Sequence, residues 1–428
     1  MSEGPAPASK PLGFWSSWSL TVGIMIGSGI FLLPAVLAPY GLISFAGWVL
    51  TGTGSICLAL VIARLAGRTR RTGGVYVYAR GAFGDLAGFL VAWGYWAAYW
   101  IAMPAVAIAF VGYLGVFIPS LDTRPLWQAA VALGLIWTLT LVNLRGVRTA
   151  GQLQFVMTIL KLIPLGVIIA LAAVTGDPAN LPDARPADGG WLPVLATTAL
   201  LTMWAFSGLE AGTVPAGDIA SPRRTIPKAI VIGTLTVTFV YIASTFAVMS
   251  LVPAATLAQS TSPFADAARH LGPWGPGFIA IGALVSTAGA LNGIIVIAGQ
   301  VPMAVAVDRL IPARLASKNA GGAPTTSLVL AACLASGLLL MNFAQGLVAV
   351  FTFLIMMSTL ANLVPLLVSA LAEFRHALTS ARGWAAVAAL AALYSVFAIL
   401  GSGLAVLGWG LLLFVAGLPL YFLRERLN

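Results

Sequence analysis

Twelve apolar runs follow one another along the chain, most of them about 20 residues or longer and joined by short connections. They fall at 14–36, 42–64, 85–118, 126–144, 152–175, 193–217, 226–251, 274–307, 326–343, 347–370, 384–401 and 404–423. One helix needs about 20 apolar residues to cross about 30 Å of hydrocarbon. Hydrophobic residues make up 60% of the chain and charged residues 8%, against about 25% charged in a soluble domain. A water-soluble globule is excluded for want of polar surface. A disordered or collagen-like chain is excluded because Gly and Pro are scattered through the apolar runs without a repeat. In lipid each spanning segment must satisfy its own backbone polar groups, which leaves helices or closed barrels. Runs of this length select helices. The expectation is an all-α polytopic membrane protein of twelve transmembrane helices, one domain over 13–423 with short tails at 1–12 and 424–428. The runs at 85–118 and 274–307 exceed the bilayer and should tilt or project into water. The moderately polar stretch 252–272 reads as a short surface helix capped at Ser262-Pro263.

The formal net charge of +10 would suggest nucleic acid on a soluble protein, but topology accounts for it here. Of the 22 Lys and Arg, only Arg124, Arg185 and Arg269 fall in outside loops when the N-terminus is inside, and Lys161 lies within a span. The rest sit in inside loops and tails, as the positive-inside rule demands. Both termini are therefore expected in the cytoplasm. The first run is too long for a signal-peptide core, so 1–12 reads as a tail before a retained span. Cys57 and Cys333 lie in apolar runs and the two His lack ligand spacing, so neither a disulfide framework, a metal site nor a cofactor is expected.

The first run reads SLTVGIMIGSGIFLLP and the sixth TALLTMWAFSGLEAGTVPAGD. Gly23, Gly27 and Gly29 weaken the first helix before Pro34; Gly208 and Gly212 weaken the sixth before Pro215. These are the first spans of two five-helix halves, 14–175 and 193–370, followed by a pair at 384–423. Glycine- and proline-interrupted spans at matching places point to a transporter with inverted repeats. A break exposes unpaired N–H and C=O groups at membrane depth, tolerated only where they line a cavity and meet a polar partner. Half-helix N-termini carry partial positive charge and suit a carboxylate. For either segment alone, close helix packing through small residues is the competing explanation.

These residues carry a resemblance. Gly27-Ser28-Gly29 with Phe31 through Pro34, Gly73-Gly74 with Tyr76 and Tyr78 to Arg80, Tyr95-Trp96 with Trp100, Trp204 through Phe206 with Gly208 and Glu210, Ser262-Pro263-Phe264, and Ala298-Gly299-Gln300 resemble the amino acid–polyamine–organocation superfamily. The likeness is strongest to its basic amino acid/polyamine antiporters, the arginine/agmatine branch above all, over about 12–423. The resemblance implies twelve helices, a five-plus-five inverted repeat of the leucine-transporter type, an inner-membrane location and often a homodimer through the last two helices. It also implies that Ile24, Gly27, Ser28 and Gly29 hold a substrate carboxylate and that carbonyls near Trp204, Ser207 and Gly208 hold its amino group. Tyr99, Met103 and Ile294 would complete the substrate site. Trp204 and Tyr95 would gate it, and Glu210 would be the proton-sensitive carboxylate.

Departures from that branch are informative. Side-chain-binding Asn residues become Ile24 and Met103, a gating Trp becomes Ile294, and the tenth span reads Ile355-Met356. The pocket is more apolar and offers a guanidinium few partners, and an unpartnered buried guanidinium costs several kcal/mol. This favours a neutral or smaller amino acid. Conversely, Lys161 matches superfamily members in which an ammonium occupies a sodium site. On physical grounds a charge in mid-membrane should face the bundle and find a partner. Lys161 can bond carbonyls freed near Gly27, as a fixed cation or a titrating one, or snorkel to the inner surface. Glu210 can carry a proton or serve as a neutral acid bonded to a neighbouring helix. Asp308 with Arg309, and Asp218 with Arg223 and Arg224, read as ion pairs at helix ends; Arg68 through Arg71 reads as an anchor near anionic lipid.

The leading expectation is a secondary transporter exchanging amino acids or related amines by alternating access. Proton-coupled or sodium-independent uptake of neutral amino acids, using Lys161, is the alternative. A membrane-embedded enzyme lacks a catalytic constellation, and a channel lacks a filter or charged ring.

Overall fold

The computed structural model describes residues 14–27, 29–68, 74–121, 123–145, 151–183, 190–210, 222–319, 322–342 and 346–422. Among them every regular element is a helix. The first predicted span is two helices, α1 (Phe14–Met25) and α2 (Gly29–Leu37). α3 (Ile43–Ala66) follows, then the short α4 (Val75–Phe83), α5 (Asp85–Leu114), α6 (Pro125–Leu144) and α7 (Gly151–Thr175). The sixth run holds α8 (Trp191–Met203) and a 3-10 turn at Trp204–Phe206. α9 (Pro222–Leu251), α10 (Ala254–Leu257), α11 (Pro263–Ala267), α12 (Gly275–Val307) and α13 (Thr325–Asn342) come next. The long α14 (Leu347–Ser380), α15 (Arg382–Leu400) and α16 (Gly403–Phe422) close the chain. Among the described residues nine helices are long and apolar enough to cross a membrane, and shorter apolar helices occupy 29–40, 191–206 and 325–341.

Three expectations need correction. α14 continues to Ser380, well past the predicted end at 370, because Glu373 within that extension is neutralised by Arg64 of α3 and by Arg68 just beyond its end. The stretch after α9 is not a surface helix. It forms α10 and α11, and Phe264, Ala265 and Ala267 are buried, with the Phe264 ring 5.5 Å from that of Phe31. Ser262 takes the N-cap position of α11, but its side chain makes no capping bond. Finally, Asp308 pairs with Arg80 at 3.1 Å, not with Arg309. The chain turns there, with Arg309 at φ 59°; Arg309 N donates to Ala306 O and Leu310 N to Val305 O, the bonds of a left-handed helix stop. Asp218, the side chain of Arg223, and residues 69–71 lie outside the described residues.

α5 is the central helix: 83% of its most apolar stretch is buried within the protein, against 17% for α16. It packs chiefly against α12 and α14, while α1 packs on α7 and α9, and α3 on α8, α9 and α15. Lipid supplies little hydrophobic drive between helices, so close packing and interhelical hydrogen bonds hold them. Trp96 Nε1 donates to Ala298 O at 3.0 Å, joining α5 to α12. Ser358 Oγ donates to Ala98 O at 2.7 Å, joining α14 to α5. The hydroxyls of Thr51 and Thr202 meet at 2.7 Å between α3 and α8. Asn143 Nδ2 donates to Asn292 Oδ1 at 2.7 Å between α6 and α12.

Candidate functional site in two interrupted helices

The first predicted span breaks where its glycines fall. α1 ends at Met25, and Ile26 N still reaches Val22 O at 2.9 Å. Gly27 N then turns back to Met25 O at 2.9 Å, and helix resumes at Gly29. The last carbonyls of a helix lack the usual i+4 donor, and here side chains of other helices supply it. Lys161 Nζ on α7 donates to Gly23 O at 3.2 Å. Tyr241 Oη on α9 donates to Met25 O at 2.6 Å. Thr158, one turn before Lys161, donates to Ser19 O at 3.1 Å, within α1 rather than at its freed end. Lys161 is 9% exposed, so its ammonium sits inside the bundle. Ser28 and the side chain of Ile24 lie outside the described residues.

The sixth span breaks in the same manner. α8 gives way to a tightened turn at Trp204, and Ser207 N closes it on Trp204 O at 3.1 Å. Ser207 is extended at ψ 133°, and Gly208 adopts φ 94°, a region that a side chain disfavours. The expected continuation to 217, with Gly212 and Pro215, lies outside the described residues. The two breaks touch. A Cβ built on Gly29 would stand 3.0 Å from Trp204 Cδ1 and 3.3 Å from Ala205 Cα. Glycine is therefore what allows the start of α2 to lie against the Trp204 turn. Tyr241 joins them a second time: its hydroxyl also lies 3.1 Å from Ala205 O. The side chain is fully buried, with the rings of Trp48 and Phe206 at 5.1 and 5.6 Å.

Glu210, 5% exposed, follows the second break. Tyr95 Oη donates to its Oε1 at 2.8 Å and Tyr99 Oη at 3.1 Å, and the two hydroxyls are 3.0 Å apart. Tyr95, Tyr99 and Met103 recur every fourth residue on α5, so they share one face of that helix. Met103 is fully buried. An ionised carboxylate accepts from both phenols at once. A protonated one keeps an acceptor oxygen and gains an O–H donor, so proton uptake would change what Glu210 offers its neighbours.

The structure thus brings Gly29 to Trp204, and Tyr95 and Tyr99 to Glu210, and it ties Lys161 to the end of α1. Ile294 is half-buried on α12, while Ile355 is fully buried on α14. Sequence reading missed Tyr241. Its signal is thin: a single Tyr in the run TLTVTFVYIASTF, which reads as ordinary core. It also missed Tyr113 on α5, whose hydroxyl donates to Phe31 O at 2.8 Å and accepts from Phe264 N at 3.2 Å, tying α2 to α11.

A helix unwound in mid-span between Met25 and Gly29, its freed carbonyls met by Lys161 and Tyr241, against a second that gives way at Trp204, is the arrangement of a polytopic membrane protein that takes a polar solute between its helices. The sequence matches the family described as amino acid permease over residues 12–420, and the chain belongs to that family. It is 32% identical over 352 residues to the cadaverine/lysine antiporter of Escherichia coli (strain K12), covering 79% of this chain and 77% of that protein. It is 34% identical over 339 residues to the putative arginine/ornithine antiporter of the same strain, covering 74% and 72%.

Proposed function

We propose that this chain exchanges amino acids or related amines across the inner membrane by alternating access. Its twelve spans would be arranged as two inverted five-helix repeats plus a final pair. The observation that carries the reading is the meeting of the two interrupted helices at Gly29 and Trp204, with their carbonyls held from α7 and α9. The start of α2, around Gly27, Ser28 and Gly29, would hold the substrate's carboxylate at a helix N-terminus. Ile24 would lie with them on the carboxylate side, and carbonyls near Trp204, Ser207 and Gly208 would take the ammonium. Trp204 would cover the bound solute and Tyr95 would gate it from α5. Both relatives are named as antiporters, which favours exchange over symport.

Two features bear on the cargo. The relatives' names point to cationic amino acids and diamines. The apolar side chains Met103, Ile294 and Ile355 favour a neutral or smaller side chain instead. Lys161 and Glu210 support a second reading, proton-coupled uptake of neutral amino acids: the ammonium on Gly23 O stands in for a coupling cation, and Glu210 carries the proton. Dimerisation through α15 and α16 remains part of the proposal, since their exposed apolar faces suit lipid as well as a second copy.

Counterflow in proteoliposomes tests the exchange. Vesicles preloaded with lysine, ornithine, cadaverine or alanine should accelerate uptake of the labelled partner. Uptake that ignores internal solute, and follows an imposed pH gradient alone, would replace exchange with the symport reading. A thermal-shift screen against amino acids and polyamines identifies the cargo, and stabilisation by arginine or agmatine alone would refute the apolar-pocket argument.

A further inference from the structure

A cavity of about 940 Å³ opens among the ends of α3, α4, α5, α12 and α14. These are the ends that the distribution of Arg and Lys puts on the cytoplasmic side. Among the described residues, none that lines it belongs to α1, α2 or α8. Its size lies within the range of about 300–1,000 Å³ typical of small-molecule sites.

Its charges are divided between two walls. On one, Arg68 pairs with Glu373, and Arg64 also approaches that carboxylate at 2.8 Å. Glu373 is fully buried, so two guanidiniums share one carboxylate from which water is excluded. Beside them Arg375 Nη1 donates to Ala82 O at 3.0 Å and has no ion pair among the described residues. On the other wall the balance is reversed. Asp85 and Asp308 share the single guanidinium of Arg80, at 2.6 and 3.1 Å, and Asp85 holds that guanidinium above its ordinary range. Tyr76 Oη donates to Asp308 Oδ2 at 2.8 Å. Arg68, Asp85 and Asp308 keep 32%, 47% and 35% of their side-chain surface, so their heads are within reach of a ligand. Tyr78 lines the space between, and burial pushes its hydroxyl up to about 12, so it adds no charge.

A simple anion in this cavity meets the surplus carboxylate, and a simple cation meets the surplus guanidiniums. A molecule carrying both charges satisfies both walls. We propose that the cavity binds a small zwitterion, its anionic oxygens on Arg68 and Arg375 and its primary ammonium on Asp85 and Asp308. Two sources carry that chemistry: a free amino acid, and the headgroup of an aminophospholipid in the inner leaflet. Because the ligand would bridge α3, α5, α12 and α14, its binding would bias how their ends sit against one another.

The test uses the full-length purified protein and three probes: alanine, glycerophosphoethanolamine and glycerophosphocholine. The last has the same phosphate but no N–H. Alanine or glycerophosphoethanolamine should give saturable binding by calorimetry, weakened about tenfold or more by Arg375→Gln and by Asp308→Asn. Glycerophosphocholine should bind at least tenfold more weakly than glycerophosphoethanolamine. An Arg375-dependent response to alanine assigns the free amino acid. A response to glycerophosphoethanolamine alone, with exchange falling severalfold when phosphatidylcholine replaces phosphatidylethanolamine in the vesicles, assigns the lipid. Arg375→Lys, which keeps the charge and should fold as the parent does, should retain part of the binding. Binding of neither zwitterion that depends on both Arg375 and Asp308, or equal binding of the choline probe, overturns the proposal. The binding readout needs no transport, so failure of amino acid exchange would leave this inference standing.

Discussion

Replacing Tyr241 by Phe removes one hydroxyl and leaves the ring among Trp48 and Phe206 undisturbed. The hydroxyl has a single proton for two acceptors, Met25 O at 2.6 Å and Ala205 O at 3.1 Å. Met25 O keeps the N–H of Gly27 at 2.9 Å, so the larger loss falls on the link between the two breaks. Leaving a buried acceptor short of a donor costs about 1–3 kcal/mol, which corresponds to about a 5- to 150-fold effect on an equilibrium. If the hydroxyl holds the breaks in their binding register, that loss should appear as a raised KM for exchange, with only a small fall in Tm. The assay is counterflow in proteoliposomes, paired with thermal unfolding in detergent. Tyr394→Phe is the control. Its buried hydroxyl bonds Thr51 Oγ1 at 3.2 Å and Ala199 O at 3.4 Å and touches neither break, so its KM should stay at the parent value. A Tyr241→Phe protein with unchanged KM and kcat would refute the idea that this residue couples the interrupted helices.

Gly29→Ala should force Trp204 and Ala205 aside by a few tenths of an ångström; overpacking of this kind costs about 1–3 kcal/mol, and substrate affinity should fall while a Trp fluorescence signal from Trp204 shifts. Glu210→Gln keeps an acceptor for Tyr95 and Tyr99 but takes up no proton, so the pH dependence of uptake should flatten, and an unaltered profile removes Glu210 from coupling. Lys161→Gln keeps a donor for Gly23 O without the charge, whereas Lys161→Met removes both. Activity retained in Gln and lost in Met marks a structural hydrogen bond, and loss in both marks a required cation. Glu373→Gln leaves Arg64 and Arg68 without their shared anion, and unfolding in detergent should occur several degrees earlier without a change in KM.

Much of the fold was legible because lipid imposes its own period on a sequence. The positions of α3, α6, α7, α12 and α16 follow the apolar runs to within a few residues, and the interruptions at Gly27 and Gly208 follow from glycine spacing. What misled was local polarity. Glu373, Arg375 and His376 read as a loop, yet α14 continues through them, since a partner 305 positions away neutralises the carboxylate. Ser262-Pro263 read as a surface cap, yet α11 is packed beneath Phe31. Asp308 was paired with its neighbour in sequence, whereas the guanidinium that reaches it comes from α4.

The sequence by itself determined the solvent of this protein, the spacing of its helices and the two places where they come apart, because each depends on residues close together in the chain. Which groups meet the opened backbone was decided only in three dimensions. Lys161 reaches Gly23 across 138 positions and Tyr241 reaches Met25 across 216, and no periodicity records such a meeting. Helix ends have fixed hydrogen-bonding needs that any suitable donor can fill, so the donor that fills them is set by how the helices pack.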